Sequence, residues 1–239
     1  VTTAWLTLTG AERPPFADVL LVTDLLHDAL AAHLARERGR RADSVLLGVH
    51  ADGSPLKGHA HAHFLGLPGP DGRIAEVIVH APDGLAPDEV TALSRVDVLR
   101  GGAGDRRLAG LPLRLSALGG AEQLPEELVG PATRWRSLTP YVPTGHPKGS
   151  AEEFVARRLP RDAAQAPALA GVGGAVDWSF APRGFPGRFE TRRARDRQAR
   201  RFTPPSACVE LTFAEPVAGP LCLGHLTHFG LGWFEAMAG

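Results

Sequence analysis

Apolar and polar residues alternate from Thr3 to Thr9, the period of a half-buried strand. Pro14 and Pro15 mark a turn. From Asp18 to Arg38 the period changes. Val19, Val22, Leu25, Leu26, Ala29, Leu30 and Leu34 recur at helical spacing and predict an amphipathic helix ended near Gly39. Ser44 to His50 reads as a strand, Asp52-Gly53 as a turn, and Gly58 to Leu67 and Ile74 to His80 as two more strands. Pro87 to Leu99 reads as a helix with Pro87 and Asp88 in its first turn, and Leu108 to Leu118 contains a further strand.

A second pass begins after Pro125. Trp135 to Val142 is strand-like, and Ser150 to Ala166 is helical, with Ser150 and Glu153 spaced as a capping box. Gly171 to Gly174 is a loop, Trp178 to Phe180 and Phe189 to Phe202 read as irregular strands, and Ala207 to Phe213 as a clear one. Gly219 to Gly232 is rich in glycine. The first half follows the βαββαβ order of a ferredoxin-like domain with one additional strand. The whole therefore reads as α+β, two modules in tandem, residues 1–125 and 126–239.

A chain of 239 residues and 25.3 kDa, 44% hydrophobic and 22% charged, has the composition of a soluble globular protein rather than a disordered one. No apolar run reaches the ~18 residues of a membrane span, and the first ten residues lack the features of a secretory signal. Two cysteines, Cys208 and Cys222, make neither a disulfide framework nor a metal knuckle, so a reducing cytoplasm is expected. The net charge of zero hides an asymmetry: 12 basic against 17 acidic residues in 1–130, and 14 against 9 in 131–239. All but two of the cations are arginine, whose planar fork suits phosphate.

Four segments could carry chemistry. In Gly58-His59-Ala60-His61-Ala62-His63, a continuous strand would put three imidazoles on one face, just after Lys57. Histidine titrates near neutrality, so a pair can act as general base and general acid. The same three rings could instead ligate a divalent metal, but no Asp or Glu lies between Gly53 and Pro70 to join them. The second segment, Gly219 to Phe234, contains Gly224, His225, His228, Gly230 and Gly232, where backbone amides could face phosphates. The third runs from Arg183 to Arg201. It holds eight arginines, Arg183, Arg188, Arg192, Arg193, Arg195 and Arg197 among them, interleaved with Phe185, Phe189 and Phe202. Such a stripe attracts a phosphate backbone and can stack bases; a charge run is usually a solvated surface, and the interleaved aromatics favour RNA contact here. The fourth, Trp135 to Lys148, ends in His146 and Lys148 on a loop.

Taken in order, these pieces resemble the repeat-processing half of the fused CRISPR-associated protein of type I-G (formerly I-U) systems, within the RAMP superfamily of crRNA-processing endoribonucleases. The resemblance rests on Gly58 to Leu65, Asp71-Gly72-Arg73, Trp135 to Val142, His146-Pro147-Lys148, Gly219 to Gly224, and His228 to Gly232 with Phe234. It implies two RRM-like RAMP domains and a C-terminal glycine-rich loop. The implied activity is cofactor-free, metal-independent cleavage of CRISPR repeat RNA to a 2′,3′-cyclic phosphate and a 5′-hydroxyl. His59, His61, His63, His146 and His228 belong to the family pattern, and His225 does not. Family members carry a further RAMP domain N-terminally, absent from these 239 residues, so the implied partners include that half and other subunits of a type I-G interference complex.

On this reading His61 or His59 is the base, the other or His63 the acid, and Lys57 or an arginine of the basic run the phosphate stabiliser. Three alternatives stand beside it. A catalytically silent RAMP subunit holding crRNA would share every motif except the active site. A two-histidine phosphoesterase needs two HxT or HxS motifs, and only His225-Leu226-Thr227 supplies one. A metallohydrolase on His59, His61 and His63 lacks a carboxylate ligand.

Overall fold

The computed structural model describes residues 1–38, 43–56, 61–101, 108–172, 177–182, 184–185, 187–194 and 203–237. The chain divides into two compact units, Val1–Gln123 and Leu124–Gly239. The first contains β1 (Thr3–Leu8), α1 (Val19–Arg38), β2 (His63–Pro68), β3 (Ile74–His80), α2 (Pro87–Arg95), β4 (Val98–Arg100) and β5 (Ala109–Gly119). The second contains α3 (Glu126–Val129), β6 (Ala132–Ser137), α4 (Ala151–Ala163), β7 (Asp177–Phe180), β8 (Val209–Val217) and β9 (Phe234–Ala236). Among the described residues no helix is long and apolar enough to cross a membrane.

In the first unit the strand order is β2-β3-β1-β5-β4, antiparallel throughout. Without β4 this is the ferredoxin-like order: two βαβ crossovers, each leaving room for a strand of the other. The alternation read from the sequence sorts β1 into two faces. Ala4, Leu6 and Leu8 are buried, with Ala4 in register with Val79 and Leu6 with Val77 of β3. The same face carries Phe64, whose ring meets His27 of α1 edge-on at 6.0 Å, and Gly66, where a Cβ would strike Val19. That face is the helix side, filled by Val19, Val22, Leu26, Leu30 and Leu34. The opposite face carries Thr3, His63 and His80, and all three are buried.

The second unit repeats the order as β7-β8-β6-β9. Here α4 makes the first crossover, and the glycine-rich segment stands where a second helix would be, with only a 3-10 turn at Thr227–Phe229. Its core unites Trp135, Val155, Leu159, Leu211, Phe213, Leu223 and Phe234. The capping box is present: Ser150 Oγ accepts from the Glu153 N–H, and the Glu153 carboxylate accepts from the Ser150 N–H. The structure is thus mixed α+β, with two antiparallel sheets in ferredoxin-like order.

Several local expectations are corrected. Residues 44–49 form a compact turn closed by a Ser44–Val49 bridge, not a strand, because Gly48 takes φ +67° and reverses the chain. The helix expected to reach Leu99 stops at Arg95, since Val98 to Arg100 pair with β5 instead. The strand expected from Trp135 to Val142 ends at Ser137, and Tyr141 and Val142 make only isolated bridges. Residues 189–194 are not a strand: the Glu190 carboxylate accepts from the N–H groups of Thr191 and Arg192 and turns the chain locally.

Candidate functional site

β2 begins at His63, so His61 precedes the strand rather than lying within it, and His59 and Lys57 fall outside the described residues. The expected sharing of a face nonetheless holds between His61 and His63. Their rings stack with centroids 6.5 Å apart and planes 12° from parallel. They differ in exposure: His61 is partly exposed, whereas His63 is 4% exposed. His63 is therefore not a solvent-facing group.

The register adds a histidine that spacing did not single out. His80 of β3 is the cross-strand partner of both His63 and Thr3, and its Nδ1 lies 3.2 Å from Thr3 Oγ1. Burial holds the His80 imidazole below the usual histidine range, against a smaller opposing effect of a hydrogen bond to the Thr2 backbone. His80 is thus a buried, hydrogen-bonded side chain beside His63 on the same face of the sheet. A period-2 reading of β3 finds His80 at a strand end, but only strand pairing sets it opposite His63. Among the described residues, no three His, Cys, Asp or Glu side chains converge to hold a metal.

His61 is seated from outside the sheet as well. A Cβ on Gly48 would lie 2.9 Å from His61 Nδ1, so the turn at 44–49 packs directly against the imidazole.

In the second unit the expected RNA-contacting residues separate. His146 and Lys148 are exposed, on the loop that leads into α4. This loop is anchored by a buried carboxylate. Asp162 Oδ2 accepts from Tyr141 Oη at 2.6 Å and from the Thr144 N–H at 3.1 Å, while Oδ1 accepts from Thr144 Oγ1 at 2.6 Å. Arg158 Nη2 donates to Thr144 Oγ1 and lies 3.4 Å from Asp162 Oδ1. Burial first, and then the Asp162 carboxylate, push the Tyr141 phenol well above its ordinary range, so it stays a hydrogen-bond donor.

The arginines do not form one solvated stripe. Arg188 is exposed and Arg192 is partly exposed beside Glu190. Arg193 is 7% exposed, and its guanidinium lies 3.7 Å from the centroid of the Phe229 ring, a cation–π contact inside the fold. Arg183, Arg195 and Arg197 lie outside the described residues. The glycines of the C-terminal segment also answer to the fold. A Cβ on Gly224 would meet the Val142 carbonyl, and one on Gly232 the Leu223 carbonyl. Gly230 is buried at φ +83°, and His228 beside it is partly exposed. Close backbone approach accounts for the glycines at 224 and 232 without a ligand.

No protein-family model matches the chain, and neither does any curated protein. Solved structures do resemble it over nearly their whole length. One, described as a RAMP protein binding different RNA substrates, has a TM-score of 0.49 and 13% identity over 99% of this chain and 98% of that one. A second, of a Cas6-related gene from Pyrococcus furiosus, has a TM-score of 0.48 and 10% identity over 99% and 98% of the two chains. A third, a CRISPR RNA processing endoribonuclease, Cas6b, has a TM-score of 0.40 and 9% identity over 99% and 100%.

Proposed function

We propose that this protein is an endoribonuclease that cuts CRISPR repeat RNA to mature crRNA by attack of a ribose 2′-hydroxyl on the adjacent phosphate. The observation that carries the reading is the near-parallel pair of His61 and His63, one ring partly exposed and the other buried. His61 takes the 2′-hydroxyl proton. The freed oxygen bonds to phosphorus, the bond from phosphorus to the 5′-oxygen breaks, and that oxygen receives a proton. The products are a 2′,3′-cyclic phosphate and a 5′-hydroxyl. His59 supplies the second proton, and Lys57 or an arginine offsets charge on the phosphate. The absence of any carboxylate between Gly53 and Pro70 supports proton transfer over metal ligation as the role of these rings.

RNA contacts are proposed at His146, Lys148, Arg188, Arg192 and His228, with Arg183, Arg195 and Arg197 of the same basic run. The proposed partners are the other subunits of a type I-G interference complex, including the further RAMP half. The burial of His63 favours a second reading, a crRNA-holding RAMP subunit without cleavage.

The test is cleavage of repeat RNA in excess EDTA, with a 2′-deoxy substitution at the cut site as control. A single cut that survives EDTA and is blocked by the 2′-deoxy supports the proposal. Tight binding without cleavage favours the silent subunit. A cut abolished by EDTA turns the histidines into metal ligands and overturns the mechanism.

A further inference from the structure

Glu89 is the third residue of α2 and is 1% exposed. A carboxylate removed from water costs several kcal/mol unless hydrogen bonds replace its hydration. One oxygen, Oε2, accepts from the Ala86 N–H at 2.9 Å and serves the helix start. The other leaves the helix. Oε1 accepts from Ser44 Oγ at 2.7 Å and from the Leu46 N–H at 3.1 Å. Ser44 Oγ in turn accepts from the Leu47 N–H at 3.1 Å, and Ser44 and Val49 exchange backbone hydrogen bonds across the turn. Helix capping needs only the first oxygen. The second holds the shape of residues 44–49.

The far side of that turn touches the candidate site. The Val45 carbonyl accepts from the N–H of Ala62, the residue between His61 and His63, at 2.9 Å. Gly48, at φ +67°, lies against the His61 ring. Hydrogen bonds thus run from Glu89 through Ser44 to Leu47 and Val49, the chain neighbours of Gly48, and Gly48 lies against the imidazole. We infer that Glu89 is a positioning residue for His61, acting through the turn at 44–49. The inference rests on the reading of His61 as the proton carrier of an endoribonuclease. Proton transfer needs the imidazole within hydrogen-bond reach of the 2′-hydroxyl, and a misplaced group costs rate rather than binding.

The test compares Glu89→Gln, Ser44→Ala and Gly48→Ala with wild type. Three quantities are read: thermal unfolding, the imidazole resonances of His61 assigned with His61→Gln, and single-turnover cleavage of repeat RNA beside its Kd. Each variant is expected to shift the His61 resonances and leave those of His146 in place. The cleavage rate falls on the order of 10- to 100-fold while Kd stays within about twofold. In a His61→Ala background Glu89→Gln has no further effect. Unmoved His61 resonances in all three variants overturn the inference, as does a loss of rate that persists undiminished in the His61→Ala background. Should Glu89→Gln fail to fold, Ser44→Ala, which leaves the carboxylate in place, and Gly48→Ala decide the matter. If wild type cuts no repeat RNA, the proposed activity fails, and the His61 resonances alone decide the positioning.

Discussion

The ring of His61 lies stacked on that of His63, 6.5 Å centroid to centroid, and His63 in turn is the cross-strand partner of His80. Exposure falls along this series from a partly open imidazole to two rings of 4% and 5% exposure. Only the outermost can reach an RNA directly, and this sets the order of the mutational effects.

His61→Ala is expected to lower single-turnover cleavage of repeat RNA by about 10²- to 10⁴-fold, the usual contribution of a positioned proton carrier. RNA binding should be nearly unchanged in a filter-binding or fluorescence titration. Full activity in this variant would remove His61 from the mechanism.

His80 predicts a pH dependence of stability. Its folded-state affinity for a proton is lowered by burial, so the unfolded chain binds that proton more readily. The contribution is present above the unfolded histidine pKa of about 6.5 and is lost as pH falls below it toward the folded value. Thermal unfolding at pH 7.5 and 5.5 should show a smaller drop for His80→Leu than for wild type. An equal drop in both would place the acid sensitivity elsewhere.

Asp162→Ala strands the Tyr141 hydroxyl and both Thr144 donors. The stranded Tyr141 donor is buried and costs ~1–3 kcal/mol, whereas half-buried Thr144 can turn to water, so urea unfolding should show a loss of about 1–3 kcal/mol. Release of the loop that follows Thr144 should also raise the Kd for RNA if His146 and Lys148 contact phosphate. Asp162→Asn, which keeps one acceptor, should lose less.

Arg188 and Arg193 should behave oppositely, although both lie in the same basic run. Arg188→Glu acts on an exposed cation, so it should raise Kd and flatten the salt dependence of binding with little effect on unfolding. Arg193→Ala removes a buried guanidinium from the Phe229 face and should cost about 0.5–2 kcal/mol of stability. An unchanged salt slope for Arg188→Glu would withdraw that residue from the RNA surface.

The elements legible in the sequence are those whose hydrogen bonds and burial are local. The alternation of Thr3 to Leu8, the helical recurrence from Val19 to Leu34, and the Ser150–Glu153 cap all follow from spacing within one segment, and each stands in the structure. The order of strands and helices in the first half was enough to name a ferredoxin-like plan. Where a segment's fate depended on a distant partner, spacing misled. Val98 and Leu99 read as the end of a helix because the pull of β5 is invisible from residues 87–99 alone. Residues 44–49 read as a strand because their apolar run is the same whether it pairs in a sheet or is wound into a turn by Glu89.

The candidate site divides in the same way. The HxHxH run announced paired imidazoles, since side chains two apart in extended backbone share a face. Which ring is open and which is buried, that His80 stands beside His63, and that Glu89 reaches the pair through a turn depend on register and packing between segments far apart in the chain. Arg193 makes the point most sharply: among eight neighbouring arginines its sequence context is unremarkable, and only the fold lays it against Phe229 and takes it out of solvent. Local periodicity determines the elements, whereas the burial of a particular charge or imidazole is decided when those elements pair.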